Sequence, residues 1–325
     1  MSTGESPFVC AFVLDRKGAG QPADEAQVEA WSPDKGLLWI HLDVNNEAAR
    51  GWLRRREDVD DVIMDALLAG ETRPRSVPTE QGQLLVLRGV NLNPGSDPDD
   101  MVSVRVWLEA DRVLTSHRRR LLSIDAIREE IATGNGPTTS GEFVVRLLGH
   151  LADRIGKVVG NIEDAIEEAE DEAADPDVMQ VRSKLAMIRR QTASIRRYLA
   201  PQRDALDRLY RQPGTLFTND EMNGIREEAD RITRYLEDLD LARERTMVLQ
   251  EELLGRLAQE QNSRMYLLSV IAAVFLPLTF VTGLLGMNVS GLPGTEAPNA
   301  FFNSLILMGL LGVALVAFFK WKRWI

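Results

Sequence analysis

Polar side chains recur at helical spacing along a stretch of the sequence that is otherwise apolar. Residues 266–285 carry no charged side chain, and the run ends on Gly286-Met287-Asn288. Spacings of three and four residues place one set of side chains on a single helical face. The set is Asn262, Met265, Ser269, Ala272, Leu276, Thr279, Gly283 and Met287. Several copies of this face around an axis could enclose a path for a cation, but Ser and Thr also serve as plain hydrogen-bond partners between membrane helices.

The side chains of this stretch limit the chemistry that it can perform. The sequence has no Asp, Glu, His, Lys or Arg in 266–285 or 301–319, so neither a proton relay nor a charged binding site is predicted there. Amide oxygens of Asn288 could hold a divalent cation through its water shell. Zinc prefers nitrogen and sulfur ligands, and the thioethers of Met265 and Met287 bind it poorly. Ligand chemistry therefore leaves zinc and magnesium both open.

Two uncharged runs are long enough to cross a bilayer, whose core needs about 20 apolar residues of helix. We predict spans at about 266–287 and 301–320. Lys320, Lys322 and Arg323 accompany the end of the second span, whereas the short loop between the spans has no Lys or Arg. The positive-inside rule then places both termini in the cytoplasm and the loop outside.

The remainder of the chain is acidic and water-soluble in character. A net charge of −11 and a pI near 5.0 argue against nucleic acid as a partner. Cys10 is the only cysteine, which excludes an intrachain disulfide and a cysteine-based metal cluster.

Residues 1–135 are predicted to form a cytoplasmic α/β domain, because apolar β-rich runs alternate with helical patterns. The expected strands are 8–14, 37–44, 83–91, 101–109 and 112–116, and the expected helices are 46–56 and 59–69.

Residues 136–264 are predicted to form a helical stalk, followed by a transmembrane pore domain at 265–325. Helices are expected at 142–173, at 177–210 and from Asn219 onward, with Thr218 and Glu221 as a capping box. Glu237, Glu244 and Glu251 recur every seven residues of the third helix. They form either a solvated acidic face or an acidic vestibule that gathers cations.

At Gly286-Met287-Asn288 the sequence resembles the CorA superfamily of divalent cation transporters, whose signature GMN ends the first of two C-terminal spans. The following Val289-Ser290-Gly291-Leu292-Pro293-Gly294 departs from the magnesium-type loop and is similar to that of the zinc-transporting ZntB branch, as are the strings WIHLD, SVRVW, TSHRRR and KWKRWI. The resemblance implies a homopentameric funnel in a bacterial inner membrane, with Asn288 at the periplasmic mouth. It also implies a pore lined by Asn262, Met265, Leu276 and Thr279, and zinc import that has been proposed to be coupled to a proton gradient.

Three functional hypotheses follow. The first is zinc transport, the second is a magnesium, cobalt or nickel channel of the same architecture, and the third is a membrane-anchored scaffold or sensor without transport. No P-loop, nucleophile elbow or HExxH is present, so we predict neither an enzyme nor a cofactor beyond the transported Zn²⁺ or Mg²⁺. His150 and Asp153 could bind zinc as a pair, and residues 118–120 could form a basic binding patch, but in both places ordinary surface residues are the favoured interpretation. Cys10 is expected to be a buried apolar residue.

Overall fold

The computed structural model describes residues 6–70, 72–173, 178–287, 289 and 298–322. The chain divides into two compact units, Met1–Gln250 and Glu251–Ile325. The first unit combines the α/β part with most of the predicted stalk. The boundaries that we placed after residues 135 and 264 stay predictions.

A seven-stranded sheet forms the centre of the first unit. Its strands are β1 (Cys10–Leu14), β2 (Gly20–Pro22), β3 (Leu37–Asp43), β4 (Arg75–Pro78), β5 (Gln83–Gly89), β6 (Val102–Leu108) and β7 (Arg112–His117). Their spatial order is β2-β1-β3-β7-β6-β5-β4, with β3 and β7 parallel and all other pairs antiparallel. The five longer strands match the predicted ones, because near-continuous apolar runs are typical of strands covered on both faces.

Helices cover both faces of the sheet. The helices of the described chain are α1 (Glu25–Glu29), α2 (Glu47–Arg54), α3 (Asp61–Leu68), α4 (Leu122–Ala132), α5 (Ser140–Glu172), α6 (Val178–Arg211), α7 (Asn219–Leu285) and, in the second unit, α8 (Ala300–Trp321), with a short 3₁₀ helix at Pro33–Lys35. Alternate residues of β3 enter different cores: Leu38 and Ile40 pack with α2 and α3, whereas Leu37 and Trp39 pack with α4 and α5. The core that contains Leu37 and Trp39 continues without interruption into α6 and the first part of α7.

The helix starts follow from local capping. The hydroxyl of Thr139 accepts from the Glu142 amide at 3.0 Å and begins α5. Thr218 and Glu221 form the predicted capping box before α7: the Glu221 carboxylate accepts from the Thr218 amide at 2.7 Å, and the Thr218 hydroxyl accepts from the Glu221 amide at 3.3 Å. The Glu221 carboxylate also accepts from the Thr139 hydroxyl, so one side chain joins the starts of α5 and α7.

Four elements were not predicted: β2, β4, α1 and α4. The two strands are short sheet edges that contain proline, which obscures the strand pattern. The α4 helix does carry a readable signal, because Ile124, Ile127 and Ile131 recur at spacings of three and four and are buried.

A buried pair of histidines lies between the parallel strands. His41 Nε2 is 2.6 Å from His117 Nδ1, and His41 Nδ1 is 2.7 Å from Thr115 Oγ1, which also accepts from Trp39 Nε1 at 2.9 Å. Burial holds the pKa of His41 well below its usual range, and the neighbouring His117 lowers it further. Burial also lowers the pKa of His117.

We expect these histidines to make stability fall in mild acid. Their pKa values are lower in the folded chain than in the unfolded one, so the unfolded chain takes up protons first and stability is lost as the pH drops below about 6.5. Thermal unfolding between about pH 7.5 and 5.5 should show a falling Tm for the wild type and a flatter profile for H41Q/H117Q. A wild-type Tm that stays constant across this interval would contradict the prediction.

Candidate ion pathway

The first part of α7 is fixed to the first unit by one apolar face and by ion pairs. The buried residues recur at helical spacing: Ile225, Ala229, Ile232, Leu236, Leu239, Ala242 and Leu249. Arg231 pairs with Asp153 of α5 at 2.6 Å, and Arg245 pairs with Glu170 of α5 at 2.7 Å. These contacts determine which face of the helix is left open.

The open face carries the three acids of the predicted vestibule. Glu237, Glu244 and Glu251 are exposed, and none of them forms an ion pair within the described part of the chain. Leu241 and Val248, between them, are exposed as well. The exposure fits both a solvated acidic face and a cation-gathering surface, so the vestibule stays a prediction.

In the second unit, α7 and α8 pack through two matching stripes. Half-buried residues of α7 recur as Val270, Ala273, Val274, Pro277, Leu278, Val281 and Leu285, and those of α8 as Ser304, Met308, Leu311, Gly312 and Leu315, with Phe319 buried. Gly312 of α8 faces Leu278 of α7, and a Cβ at Gly312 would lie 3.9 Å from the Leu278 side chain, within ordinary contact distance. Both helices have the length and hydropathy of membrane spans.

The polar stripe predicted from the sequence lies on the other side of α7. At about 100° per residue, its positions fall roughly opposite the stripe that packs against α8. Asn262, Met265, Ser269, Leu276 and Thr279 are all exposed in the single chain, and the exposed fraction of Leu276 is 73%. The second span therefore leaves the stripe uncovered.

The hydroxyl groups of the stripe are hydrogen-bonded within their own helix. Ser269 donates to the Met265 carbonyl and Thr279 to the Phe275 carbonyl, each at 2.8 Å. Their hydrogens are used, whereas the oxygen lone pairs remain open to a ligand.

The signature tripeptide follows directly on the end of α7. The Gly286 amide donates to the Thr282 carbonyl at 2.9 Å, and the Met287 amide reaches the Leu284 carbonyl at 3.4 Å. Both Gly286 and Met287 are exposed. Asn288 lies outside the described residues, as does most of the loop that follows it.

The alternative zinc pair is not assembled. His150 Nε2 contacts Glu130 at 2.8 Å, whereas Asp153 is paired with Arg231. Within the described ranges, no group of three or more His, Cys, Asp or Glu side chains could hold a metal ion. In the basic segment, Arg119 pairs with Asp100 and Arg120 with Asp125, as expected for a surface turn.

Comparison with known proteins gives a consistent match over nearly the whole chain. The family model for the CorA-like Mg²⁺ transporter protein matches residues 34–323. The divalent cation transporter CmaX of Pseudomonas aeruginosa is 40% identical over 99% of this chain and 97% of its own length. The zinc transport protein ZntB of Pectobacterium carotovorum is 35% identical over 98% of this chain and 97% of its own length.

The fold has a solved counterpart. The structure of full-length CmaX superimposes with a TM-score of 0.85 at 37% identity, covering 99% of this chain and all of that one.

Proposed function

The chain belongs to the CorA family of divalent metal ion transporters, and we propose that it carries Zn²⁺ across a bacterial inner membrane. The transported ion is cargo rather than a cofactor. The observation that carries transport of a cation is the polar stripe of α7, whose described side chains stay exposed beside α8.

The path would be assembled from several copies of that stripe. The described part of one chain has two candidate spans, too few to enclose a path, whereas a homopentamer, the assembly that the resemblance implies, would bring the stripes around an axis. Asn288 would meet the hydrated ion at the outer mouth, followed by Thr279, Leu276, Met265 and Asn262 toward the cytoplasm. Neutral oxygens hold a hydrated ion weakly enough to release it.

Magnesium is the second candidate ion. The stripe offers neither imidazole nor thiolate, the ligands that favour zinc. Weak outer-shell contact suits magnesium equally well, because magnesium dehydrates reluctantly. We choose zinc over magnesium for two reasons. The loop after Asn288 is similar to that of the ZntB branch, and ZntB proteins are among the relatives of this chain.

Transport by purified protein in proteoliposomes tests the proposal directly. With metal-sensitive dyes inside the vesicles, we expect Zn²⁺ to enter faster than Mg²⁺, Co²⁺ or Ni²⁺. Adding a pH gradient then tests proton coupling. Faster Mg²⁺ entry would identify the second candidate, and vesicles that pass no divalent cation would indicate a scaffold or sensor.

Assembly is the first requirement of this proposal. In mild detergent the particle mass should be several times the 36.3 kDa of one chain, and a pentamer is expected. Light scattering coupled to size exclusion measures this mass after subtraction of the detergent. A monomer in every detergent would contradict a path built from several stripes.

Orientation is the second requirement, with both termini cytoplasmic and the 288–300 loop outside. A T295C variant in a C10S background should react with an impermeant thiol reagent in intact cells. Burial raises the pKa of the Cys10 thiol to about 12, so even the native cysteine should label slowly. A cysteine appended after Ile325 is the matched control and should stay unlabelled; the opposite pattern would reverse the orientation.

A further inference from the structure

A basic cleft opens in the first unit. It has a volume of about 760 Å³ and is bordered by the ends of β3, α3 and β7, by β5 and β6, and by α6. Five arginines line it: Arg73, Arg88, Arg118, Arg119 and Arg197. These residues are far apart in sequence and are brought together only by the fold.

The described residues that line the cleft carry more positive than negative charge. Asp100 is the only carboxylate among the lining residues that the structure describes, and it is paired with Arg119. Arg73, Arg118 and Arg197 form no ion pair with any described carboxylate. Such a positive cluster is unexpected in a chain whose net charge is −11, because acidic partners are abundant elsewhere.

Arg88 is held as a fixed part of the wall. Its guanidinium donates to the Met101 carbonyl at 2.6 Å and to the Thr72 carbonyl at 2.8 Å, and it lies 4.3 Å from the centre of the Tyr198 ring. The Arg197 guanidinium lies 5.6 Å from the same ring. The charges of Arg88 and Arg197 are therefore positioned before any ligand arrives.

Two deeply buried side chains beside the cleft keep unused polar atoms. Arg105 is fully buried and donates to the carbonyls of Ala69 and Gly70, yet no described residue accepts from its Nε or Nη1. Thr72, which lines the cleft, is 7% exposed, and its hydroxyl finds no described partner. Burial and the charges of Arg88 and Arg118 lower the pKa of Arg105 to about 10.

We propose that this cleft binds a small multivalent phosphate anion. Guanidinium groups match the oxygens of phosphate in planar, two-pronged hydrogen bonds. Unpaired buried donors are costly, and an anion in the cleft supplies an acceptor for the Thr72 hydroxyl, which has none among the described residues. The volume is within the range of small-molecule sites and would admit a pyrophosphate or a nucleoside polyphosphate.

Calorimetric titration of the full chain in detergent tests the proposal, with divalent cations removed by chelation. Pyrophosphate should bind saturably at micromolar concentrations, whereas chloride at matched ionic strength should not bind. The R73Q/R118Q variant should weaken pyrophosphate binding by about tenfold or more. R54Q is the matched control, because Arg54 is an exposed arginine on α2, outside the cleft, and it should bind like the wild type.

Titrations with other anions show which part of the ligand the cleft recognises. ATP bound more tightly than pyrophosphate would identify a nucleotide site, and equal affinity would identify bare phosphate recognition. Citrate bound as tightly as pyrophosphate would overturn phosphate selectivity. The proposal is also overturned if pyrophosphate fails to saturate below about 1 mM, or if R73Q/R118Q binds as the wild type does.

One nearby carboxylate requires its own control. Glu71 stands in sequence between the lining residues Gly70 and Thr72 and lies outside the described residues, so the E71Q variant is measured as well. If pyrophosphate binds to E71Q and not to the wild type, the chain neutralises its own cleft and the proposal is wrong. Transport in proteoliposomes without phosphate should be equal for R118Q and the wild type, which keeps this test separate from the proposed transport function.

Discussion

An alanine at position 288 should lower divalent cation uptake by at least ~tenfold while the protein still inserts and assembles. The substitution removes the amide oxygens that would meet the hydrated ion at the outer mouth. A hydrogen bond to a water of the ion's shell is worth about 0.5–1.5 kcal/mol, and every copy around the axis loses one. The hydrophobic spans are unchanged, so particle mass in detergent should match the wild type.

Two further variants separate the amide from general effects at the mouth. S290A, just outside, should give a milder loss. N288D adds negative charge, so it should bind the ion more tightly and release it more slowly. Wild-type uptake by an assembled N288A protein would make Asn288 a helix-terminating residue rather than an ion contact.

Replacing Phe143 with alanine should lower the free energy of unfolding by about 3–5 kcal/mol. Phe143 on α5 is fully buried, and its ring centre lies 5.1 Å from that of Trp39 on β3. The cavity would open where the sheet meets the long helices. Because the core is continuous from the sheet into α7, we expect the α/β part and these helices to melt together, in one transition at a lower temperature.

Tryptophan fluorescence of the full chain in detergent reports this transition, because Trp39, Trp52 and Trp107 are buried in the first unit. L92A is the control: Leu92 is 40% exposed, and its loss should change the unfolding free energy by less than about 0.5 kcal/mol. Separate transitions for the sheet and the helices would instead support a domain boundary near residue 135.

The elements with strong local signals could be predicted from the sequence. The run LLWIHLD predicts a strand covered on both faces, and β3 has that environment. The third helix could be followed from its capping box at Thr218 to the end of the span, because no residue interrupts it before Pro277, and Pro277 is accommodated within α7.

Arrangements that depend on distant residues could not be predicted. The cleft joins Arg73, Arg118 and Arg197, which share no periodic pattern, and only Arg118 falls within a visible basic run. The pairing of His41 with His117 depends on the register of two parallel strands. The partners of His150 and Asp153 were also set by tertiary contacts, which separate a pair that the helical spacing had placed on one face.

The Ser269 and Thr279 hydroxyls donate to carbonyls of their own helix, so they face the proposed path as hydrogen-bond acceptors. Water around a cation turns its hydrogens outward, and these hydrogens need acceptors. Water around an anion turns its oxygens outward, and these oxygens need donors. Hydroxyls whose protons are committed to helix carbonyls offer lone pairs alone, so the positions of Ser269 and Thr279 would favour hydrated cations over hydrated anions although neither residue carries a charge.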